Sequence, residues 1–273
     1  MPPAVPRTDR AVALGCLDVG RGPTIVLLHG VGIDGSAFAP LVSMLQTDHR
    51  VIVPDRRGYG RSRSHQPTPD LGDQVADIAE LLRARHIARP TLVGVSGGAT
   101  LALAFALSHP SLLVGALVHE PALGPLAPAL HARLLKAQQQ LQASADPAAA
   151  LRFVAALAGP AWGELTPTWG DRVTKRHQVI RDDIAQFLAY VPDLQQRLTS
   201  PAPPLVSSLG EHSPPPRRQA ADVLANAGVE IHVIPDAGHL AHLQAPAALA
   251  TVIRLLTGTP DVIPLAGVCD APS

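Results

Sequence analysis

One short run of residues has the types and spacing of a nucleophile turn. Ser96 lies between glycines in the order Gly94-Val95-Ser96-Gly97-Gly98, a G-x-S-x-G pattern, where an apolar strand-like segment ends and an apolar helix-like segment begins. A serine on so sharp a turn would project beyond its strand, and small neighbours let the chain segments approach closely. The alternative is a glycine-rich connection in which the serine only caps the helix. In this setting the pattern predicts a serine nucleophile that attacks a carbonyl carbon.

Strand and helix patterns alternate on both sides of this turn. Short apolar runs, several of them rich in β-branched residues, predict strands at 11–18, 24–28, 51–53, 91–95, 112–119, 204–209 and 229–234. Apolar residues at helical spacing predict helices at 73–85, 97–107, 216–227 and 246–256. The alternation indicates an α/β fold with a mostly parallel central sheet and helices on both faces.

The alternation stops between residues 121 and 200. Irregular helical patterns occur there at 130–141, 147–157 and 173–198, without a convincing strand, so we interpret this stretch as an insertion. Both tryptophans, Trp162 and Trp169, fall in it, although only 3% of the chain is aromatic. We predict that they contact substrate; the equal alternative is that they pack the insertion onto the rest of the chain.

Composition excludes several classes of partner. Lys and Arg number 22, as do Asp and Glu, so we expect no nucleic acid and no membrane, and a small neutral or weakly charged molecule as substrate. Two cysteines make no disulfide framework, residues 1–10 lack the apolar run of a secretory signal, and no apolar run could span a bilayer, which predicts a cytoplasmic protein. Phosphate-loop, dinucleotide and zinc spacings are missing, so we expect no cofactor and no metal. The oligomeric state has no signal in the sequence.

Four segments together resemble the α/β-hydrolase family. Besides the G-x-S-x-G turn, residues 27–32 (LLHGVG) are similar to the family's first glycine loop, residues 54–62 (PDRRGYGRS) to its D-x-R-G-x-G-x-S segment, and residues 235–239 (PDAGH) to its histidine loop. The resemblance covers nearly the whole chain apart from the insertion and the tail. It implies a core domain formed by residues 1–120 and 201–273, with the insertion at 121–200 as a helical cap over the nucleophile.

The same resemblance implies roles for further residues. His239, in the histidine loop, would be the general base, because a serine hydroxyl needs a nearby imidazole to become nucleophilic at neutral pH. The backbone N–H groups of Val31 and Gly97 would form the oxyanion hole. His29 is interpreted as a brace for the first glycine loop, and His242 is the second candidate for the base.

The acid partner of the histidine departs from the family pattern. Residues 210–213 (GEHS) place Ser213 where the family commonly has an aspartate, and a hydroxyl cannot stabilise an imidazolium by charge. We favour Glu120, because some α/β-hydrolases carry the acid after the strand that follows the nucleophile helix, and Glu120 ends such a strand here. It would accept the Nδ1 hydrogen of His239. Two different readings are that Glu120 caps a helix or pairs with an arginine, and that Glu211 is the acid.

These residues predict a serine hydrolase that cleaves a small or medium-sized, mostly apolar ester, lactone or thioester through an acyl-enzyme on Ser96. Carbon–carbon bond hydrolysis and perhydrolase-like activity would use the same residues. Two functions of a different class also fit: a weakly catalytic or non-catalytic small-molecule binding protein of the same fold, and a cofactor-free lyase or isomerase that uses only the histidine base. The three arginines between Asp55 and Ser62 suggest an anion site, but we favour a loop held by Asp55.

Overall fold

The central sheet has seven strands. The computed structural model describes residues 11–63, 70–159, 162–195 and 203–258. Within them the strand order is β1-β3-β2-β4-β5-β6-β7. β1 runs antiparallel to β3, and the other neighbours are parallel. The strands are β1 (Cys16–Val19), β2 (Thr24–Leu28), β3 (Arg50–Pro54), β4 (Thr91–Val95), β5 (Gly115–His119), β6 (Leu205–Gly210) and β7 (Glu230–Ile234).

Helices connect the parallel strands and cover the sheet. Their bounds are α1 (Ala39–Leu45), α2 (Leu71–Ala84), α3 (Gly97–Ser108), α4 (Pro128–Gln142), α5 (Ala148–Ala158), α6 (Trp162–Lys175), α7 (His177–Ala189), α8 (Pro215–Asn226), α9 (Ala241–Gln244) and α10 (Pro246–Thr257). No helix of the described segments is both long and apolar enough to cross a lipid bilayer.

The sheet separates two apolar cores, because successive side chains of a strand point to opposite faces. On β2, Ile25 and Leu27 belong to one core, which α1 and α10 cover. Val26 and Leu28 belong to the other, which contains α2, α3, α8 and apolar residues of α4 to α7. With helices on both faces of a mostly parallel sheet, the predicted α/β fold is confirmed.

Several boundaries differ from the sequence prediction. The region predicted as one helix at 173–198 contains the end of α6 and all of α7, because Arg176 leaves helical geometry at φ −114°, ψ 20°; its last residues, 196–198, lie outside the described segments. Most of α6 was missed, because Pro167 and two glycines argue against a helix. The strand predicted at 112–119 begins only at Gly115, after a short 3₁₀ turn at Pro110–Leu112.

Helices α4 to α7 all lie between β5 and β6 in the chain, and the described residues between these two strands contain no further strand of the sheet. A buried ion pair ties this segment to the loop after β3: Arg56 Nη2 is 2.8 Å from Asp183 Oδ2 on α7. The same carboxylate oxygen accepts the Tyr59 hydroxyl at 2.7 Å. Because both partners of the ion pair are almost completely buried, removing either would leave a charge without compensation.

Candidate active site

Ser96 occupies a strained turn between β4 and α3. Its backbone angles are φ 57° and ψ −121°, a conformation that L-residues rarely adopt. Its N–H donates to the His119 carbonyl oxygen at 2.9 Å. β4 and β5 are paired with Val95 opposite His119, so the residues that follow, Ser96 and Glu120, lie side by side beyond the strand ends.

Close backbone approaches explain the glycines around the serine. A Cβ atom on Gly94 would lie 2.2 Å from the Gly98 carbonyl oxygen, and one on Gly98 would lie 2.1 Å from that of Leu28. At Gly97 an added Cβ would lie 2.5 Å from the Phe187 ring of α7. The G-x-S-x-G spacing therefore lets the first turn of α3 lie against both β2 and β4.

We expect Gly94→Ala to lower the free energy of unfolding by about 3 kcal/mol, because the added methyl group must displace backbone. Gly163→Ala is the matched control: no described atom lies within 4 Å of its added Cβ, so the free energy of unfolding should stay equal or rise by up to about 1 kcal/mol. Urea denaturation followed by circular dichroism measures both. Equal stability of the two variants would contradict the close approach at Gly94.

His239 lies in the loop after β7 and joins Ser96 to Glu120. Its Nε2 is 3.0 Å from Ser96 Oγ, and its Nδ1 is 2.7 Å from Glu120 Oε2. Because a carboxylate only accepts, Nδ1 carries the hydrogen and Nε2 accepts the hydrogen bond from the serine hydroxyl. Burial and the charge of Arg217 lower the pKa of His239 to about 4, against the opposite effect of Glu120. The imidazole is therefore a neutral acceptor at pH 7.

Glu120 is held as a carboxylate by four surrounding donors. Besides His239, its Oε1 accepts from the N–H of Gly210 at 3.0 Å and from the Ser213 hydroxyl, and its Oε2 lies 3.0 Å from Arg217 Nε. Burial raises the pKa of Glu120, but Arg217 and the hydrogen bond from His239 outweigh it and hold that pKa below its usual range. Ser213, at the position where the family commonly has its acid, thus donates to the shifted carboxylate.

Glu211 is directed elsewhere. Its side chain is exposed, and its Oε2 accepts from the N–H of Asp236 at 3.0 Å. Of the two candidate acids, the structure brings Glu120 to His239 and leaves Glu211 in the solvent-exposed loop.

Arg217, on α8, is a site residue that the sequence analysis missed. It is 7% exposed, its Nη1 donates to the Glu120 carbonyl oxygen at 3.1 Å, and its Nη2 is 3.1 Å from His239 Nε2. Glu120 therefore pairs with an arginine and contacts His239 at the same time. No local pattern could have found Arg217, because PPPRRQ has the composition of an exposed helix start.

The predicted oxyanion donors lie next to the serine. Val31 lines a small chamber together with Ser96, and Gly97 is the first residue of α3. Within the described segments, the N–H groups of Val31 and Gly97 have no acceptor.

The glycine loop is braced as the sequence predicted. His29 is fully buried; its Nδ1 lies 2.9 Å from the Gly30 carbonyl oxygen, and its Nε2 accepts from the Arg56 N–H at 3.0 Å. Burial and the charge of Arg56 lower the pKa of His29 to about 3. Asp55 accepts from the backbone N–H groups of Gly35 and Arg61 at 2.7 and 2.8 Å. The preference for a loop held by Asp55 is confirmed.

Two cavities meet at His239. The small chamber beside Ser96 has a volume of about 20 Å³ and an otherwise apolar lining that includes Trp162. The larger cavity has a volume of about 460 Å³ and shares Leu157, Ala158 and His239 with the chamber. Trp169 lines neither: Arg172 lies over its ring, 4.9 Å from the centroid.

Two other groups of titratable side chains lie near the site. His242, the second candidate for the base, is fully buried 5.0 Å from the Phe38 ring, and its ring nitrogens have no hydrogen-bond partner in the described segments. Burial lowers the pKa of His242 to about 3. The exposed side chains of Glu211, His212 and Asp236 have ligand atoms within 4.8 Å of one another; they could hold a cation, but no second feature points to a ligand there.

The chain belongs to the α/β hydrolase family, whose model matches residues 25–252. It is similar to the magnesium-chelatase 30 kDa subunit of Rhodobacter capsulatus, with 36% identity over 90 residues that cover 33% of this chain and 32% of that protein. The chain thus spans about a third of the length of the curated relatives it matches.

Solved structures with the same fold cover nearly the whole chain. The enol-lactonase from Burkholderia xenovorans LB400 has a TM-score of 0.72 and 20% identity, over 90% of this chain and 96% of that one. A thermophilic esterase from Thermogutta terrifontis, with malate bound, has a TM-score of 0.68 and 24% identity, over 90% and 93% of the two chains. These similarities confirm the predicted α/β-hydrolase fold.

Proposed function

We propose that this chain is a serine hydrolase that cleaves an ester, lactone or thioester through an acyl-enzyme on Ser96. The observation that carries the proposal is the continuous hydrogen-bonded row of Ser96 Oγ, His239 and Glu120, with contacts of 3.0 and 2.7 Å. A hydroxyl, a neutral imidazole and a buried carboxylate in this order form the nucleophile, base and orienting acid of acyl transfer.

In the first half of the proposed reaction, Ser96 Oγ attacks the substrate carbonyl carbon while its proton moves to His239 Nε2. Glu120 accepts the Nδ1 hydrogen and stabilises the imidazolium that forms. The carbonyl oxygen becomes an oxyanion and accepts hydrogen bonds from the backbone N–H groups of Val31 and Gly97. In serine hydrolases, loss of one such donor raises the activation free energy by about 3–4 kcal/mol.

Acylation is completed when His239 gives its proton to the leaving group and the bond between that group and the carbonyl carbon breaks. Water then enters, gives a proton to His239 Nε2 and attacks the acyl-enzyme. When the bond to Ser96 Oγ breaks, that oxygen takes the proton back and a carboxylic acid leaves. The reaction needs no electron acceptor and no cofactor.

The shape of the site supports a small group next to the serine. The chamber of about 20 Å³ has room for roughly one water molecule, and its lining, from Val31 through Leu240 to Trp162, is mostly apolar. A short acyl group fits this space, so esters of short acids are the preferred substrates in the proposal.

The remaining sequence-based expectations belong to the same proposal. Residues 121–200 would act as a cap domain that shapes substrate choice, with Trp162 as a substrate contact. The protein would act in the cytoplasm on a small molecule. Trp169 lines neither cavity, so a contact between Trp169 and substrate would require a rearrangement of the cap.

We expect a fluorophosphonate probe to label Ser96 at a rate that is constant above about pH 6 and falls on acidification, with its midpoint near pH 4. His239 takes the serine proton only while Nε2 is unprotonated, and its pKa lies at about 4; protonation below that pH therefore removes the base. Intact-mass spectrometry at a series of pH values gives the rate, and peptide mapping gives the labelled residue.

The same titration separates the hydrolase from a binding protein. A midpoint near 6.5, the value of a free imidazole, would contradict the environment assigned to His239. A folded chain that stays unlabelled over the whole pH range would contradict the hydrolase and favour the small-molecule binding protein.

A further inference from the structure

The larger cavity adjoins the proposed catalytic residues and differs from the chamber in charge. His239 forms part of its wall, and so do the two arginines Arg133 and Arg217, but none of the described residues that line it is an aspartate or a glutamate. Its volume of about 460 Å³ is that of a site for a small ligand. Glu120 compensates Arg217 from behind the wall, so the described lining carries one net positive charge, that of Arg133, and favours a negatively charged ligand.

Arg133 supplies a positive charge that is not compensated. It lies on α4 with an exposed side chain, and its contact within the described segments is Nη2 to the Ala156 carbonyl oxygen at 3.4 Å. No carboxylate of the described segments lies within ion-pair distance of it. Its guanidinium can therefore bind a ligand without breaking an ion pair, and it would give up only this one long hydrogen bond.

Arg217 has N–H donors that no protein acceptor of the described segments uses. A guanidinium has five N–H groups, and Glu120 and His239 occupy three of them, one on each nitrogen. One hydrogen on Nη1 and one on Nη2 have no acceptor in the described segments. These two donors are parts of a side chain that lines the cavity and is only 7% exposed.

The position of Arg217 is unfavourable for hydrolysis of a neutral ester. Its Nη2 lies 3.1 Å from His239 Nε2, the atom that must take the serine proton, and a cation there opposes the imidazolium. It also competes with the serine hydroxyl for the same lone pair. An anion bound to Arg217 from the cavity would stabilise the imidazolium and draw the guanidinium away from Nε2.

We propose that the larger cavity binds a carboxylate group of the substrate through Arg217 and Arg133, so that the enzyme acts on esters or lactones that carry an acid group. One uncompensated charge, that of Arg133, matches a monoanion, and planar guanidinium groups match the two oxygens of a carboxylate. The balance of 22 basic and 22 acidic residues in the whole chain does not indicate this preference, because a net charge says nothing about the charge at one site. The inference rests on the proposed hydrolase function.

The test uses two pairs of esters that differ in one carboxylate. The first pair is 4-nitrophenyl hexanoate and mono-4-nitrophenyl adipate, which places the charge on the acyl side. The second is methyl 4-acetoxybenzoate and 4-acetoxybenzoate, which places it on the leaving-group side. We expect the charged ester of at least one pair to have a kcat/KM about tenfold or more above that of its neutral partner.

Arg133→Gln should lower this charged-to-neutral ratio several-fold, through a higher KM for the charged ester, because Arg133 binds the carboxylate. Arg152→Gln is the matched control: Arg152 is an exposed arginine of α5 that pairs with Asp146 and lies outside the cavity. It should keep the wild-type ratio. Ratios near one in both pairs, with hydrolysis that still requires Ser96, would overturn the carboxylate site and leave the hydrolase standing.

If the protein hydrolyses none of these esters, the proposed hydrolase function fails. Calorimetric titration of the Ser96→Ala variant then still tests the carboxylate site by binding alone. 6-Hydroxyhexanoate should bind and 1,6-hexanediol, which lacks the carboxylate, should not; 6-hydroxyhexanoate binding should weaken several-fold when Arg133→Gln is added. Absence of 6-hydroxyhexanoate binding, or binding that Arg133→Gln leaves unchanged, would overturn the carboxylate site.

Discussion

Ser96→Ala is expected to lower kcat for 4-nitrophenyl butyrate on the order of 10⁵- to 10⁶-fold, because the covalent step loses its nucleophile. His239→Ala should have a similar effect, and the double variant should be no slower than either single one, since the two residues act as one unit. The free energy of unfolding of Ser96→Ala should stay within about 1 kcal/mol of wild type, as only one oxygen atom is lost.

Ser43→Ala is the matched control for this experiment. Its hydroxyl is exposed on α1 and donates only to the Pro40 carbonyl oxygen, so its kcat should equal that of wild type. A Ser96→Ala variant that keeps a tenth or more of the wild-type rate would exclude the acyl-enzyme and favour a lyase or isomerase that uses His239 alone.

Most of the sheet could be predicted because each of its strands leaves a local signal. β2, β4 and β5 are short, apolar and fully or almost fully buried, and such runs can be recognised without knowledge of their neighbours. Helix α6 left the opposite signal: Pro167 and its glycines lower helix propensity, and burial of Trp169 and Val173 against the rest of the chain overrides it.

The resemblance to the family suggested Glu120, and the topology of the sheet explains its position. Parallel strands end at the same edge of a sheet, and adjacent strands bring their next residues side by side. In the structure β4 and β5 are neighbours, and the pairing of Val95 with His119 brings Glu120 beside Ser96. Glu211 also follows a strand, but the following turn directs it toward Asp236.

The charge environment of the site could not be predicted in this way. Arg217 reaches Glu120 and His239 across about 100 and 20 residues of sequence, and its contacts depend on how α8 packs beside β6. Arg133 reaches the same cavity from α4, in a different part of the chain. The two arginines are far apart in the sequence with no characteristic spacing, so only the folded chain shows that both line the cavity whose wall includes His239.

Glu120→Gln is expected to lower kcat about 10³- to 10⁴-fold, because an amide cannot stabilise the imidazolium by charge and its NH₂ group favours the wrong tautomer of His239. Glu211→Gln should keep the wild-type rate, because Glu211 contacts neither Ser96 nor His239. Steady-state hydrolysis of 4-nitrophenyl butyrate by both variants measures the difference, with near-UV circular dichroism as the check on folding.

Glu120→Gln also leaves the buried charge of Arg217 without its partner, which costs about 3–5 kcal/mol of stability and could itself abolish activity. The double variant Glu120→Gln/Arg217→Met removes both charges and should recover most of that stability while kcat stays low. If the stabilised double variant regains the wild-type rate, or if Glu211→Gln is the slower single variant, Glu120 is not the acid. A stable double variant that stays slow separates the loss of charge at His239 from a loss of folding.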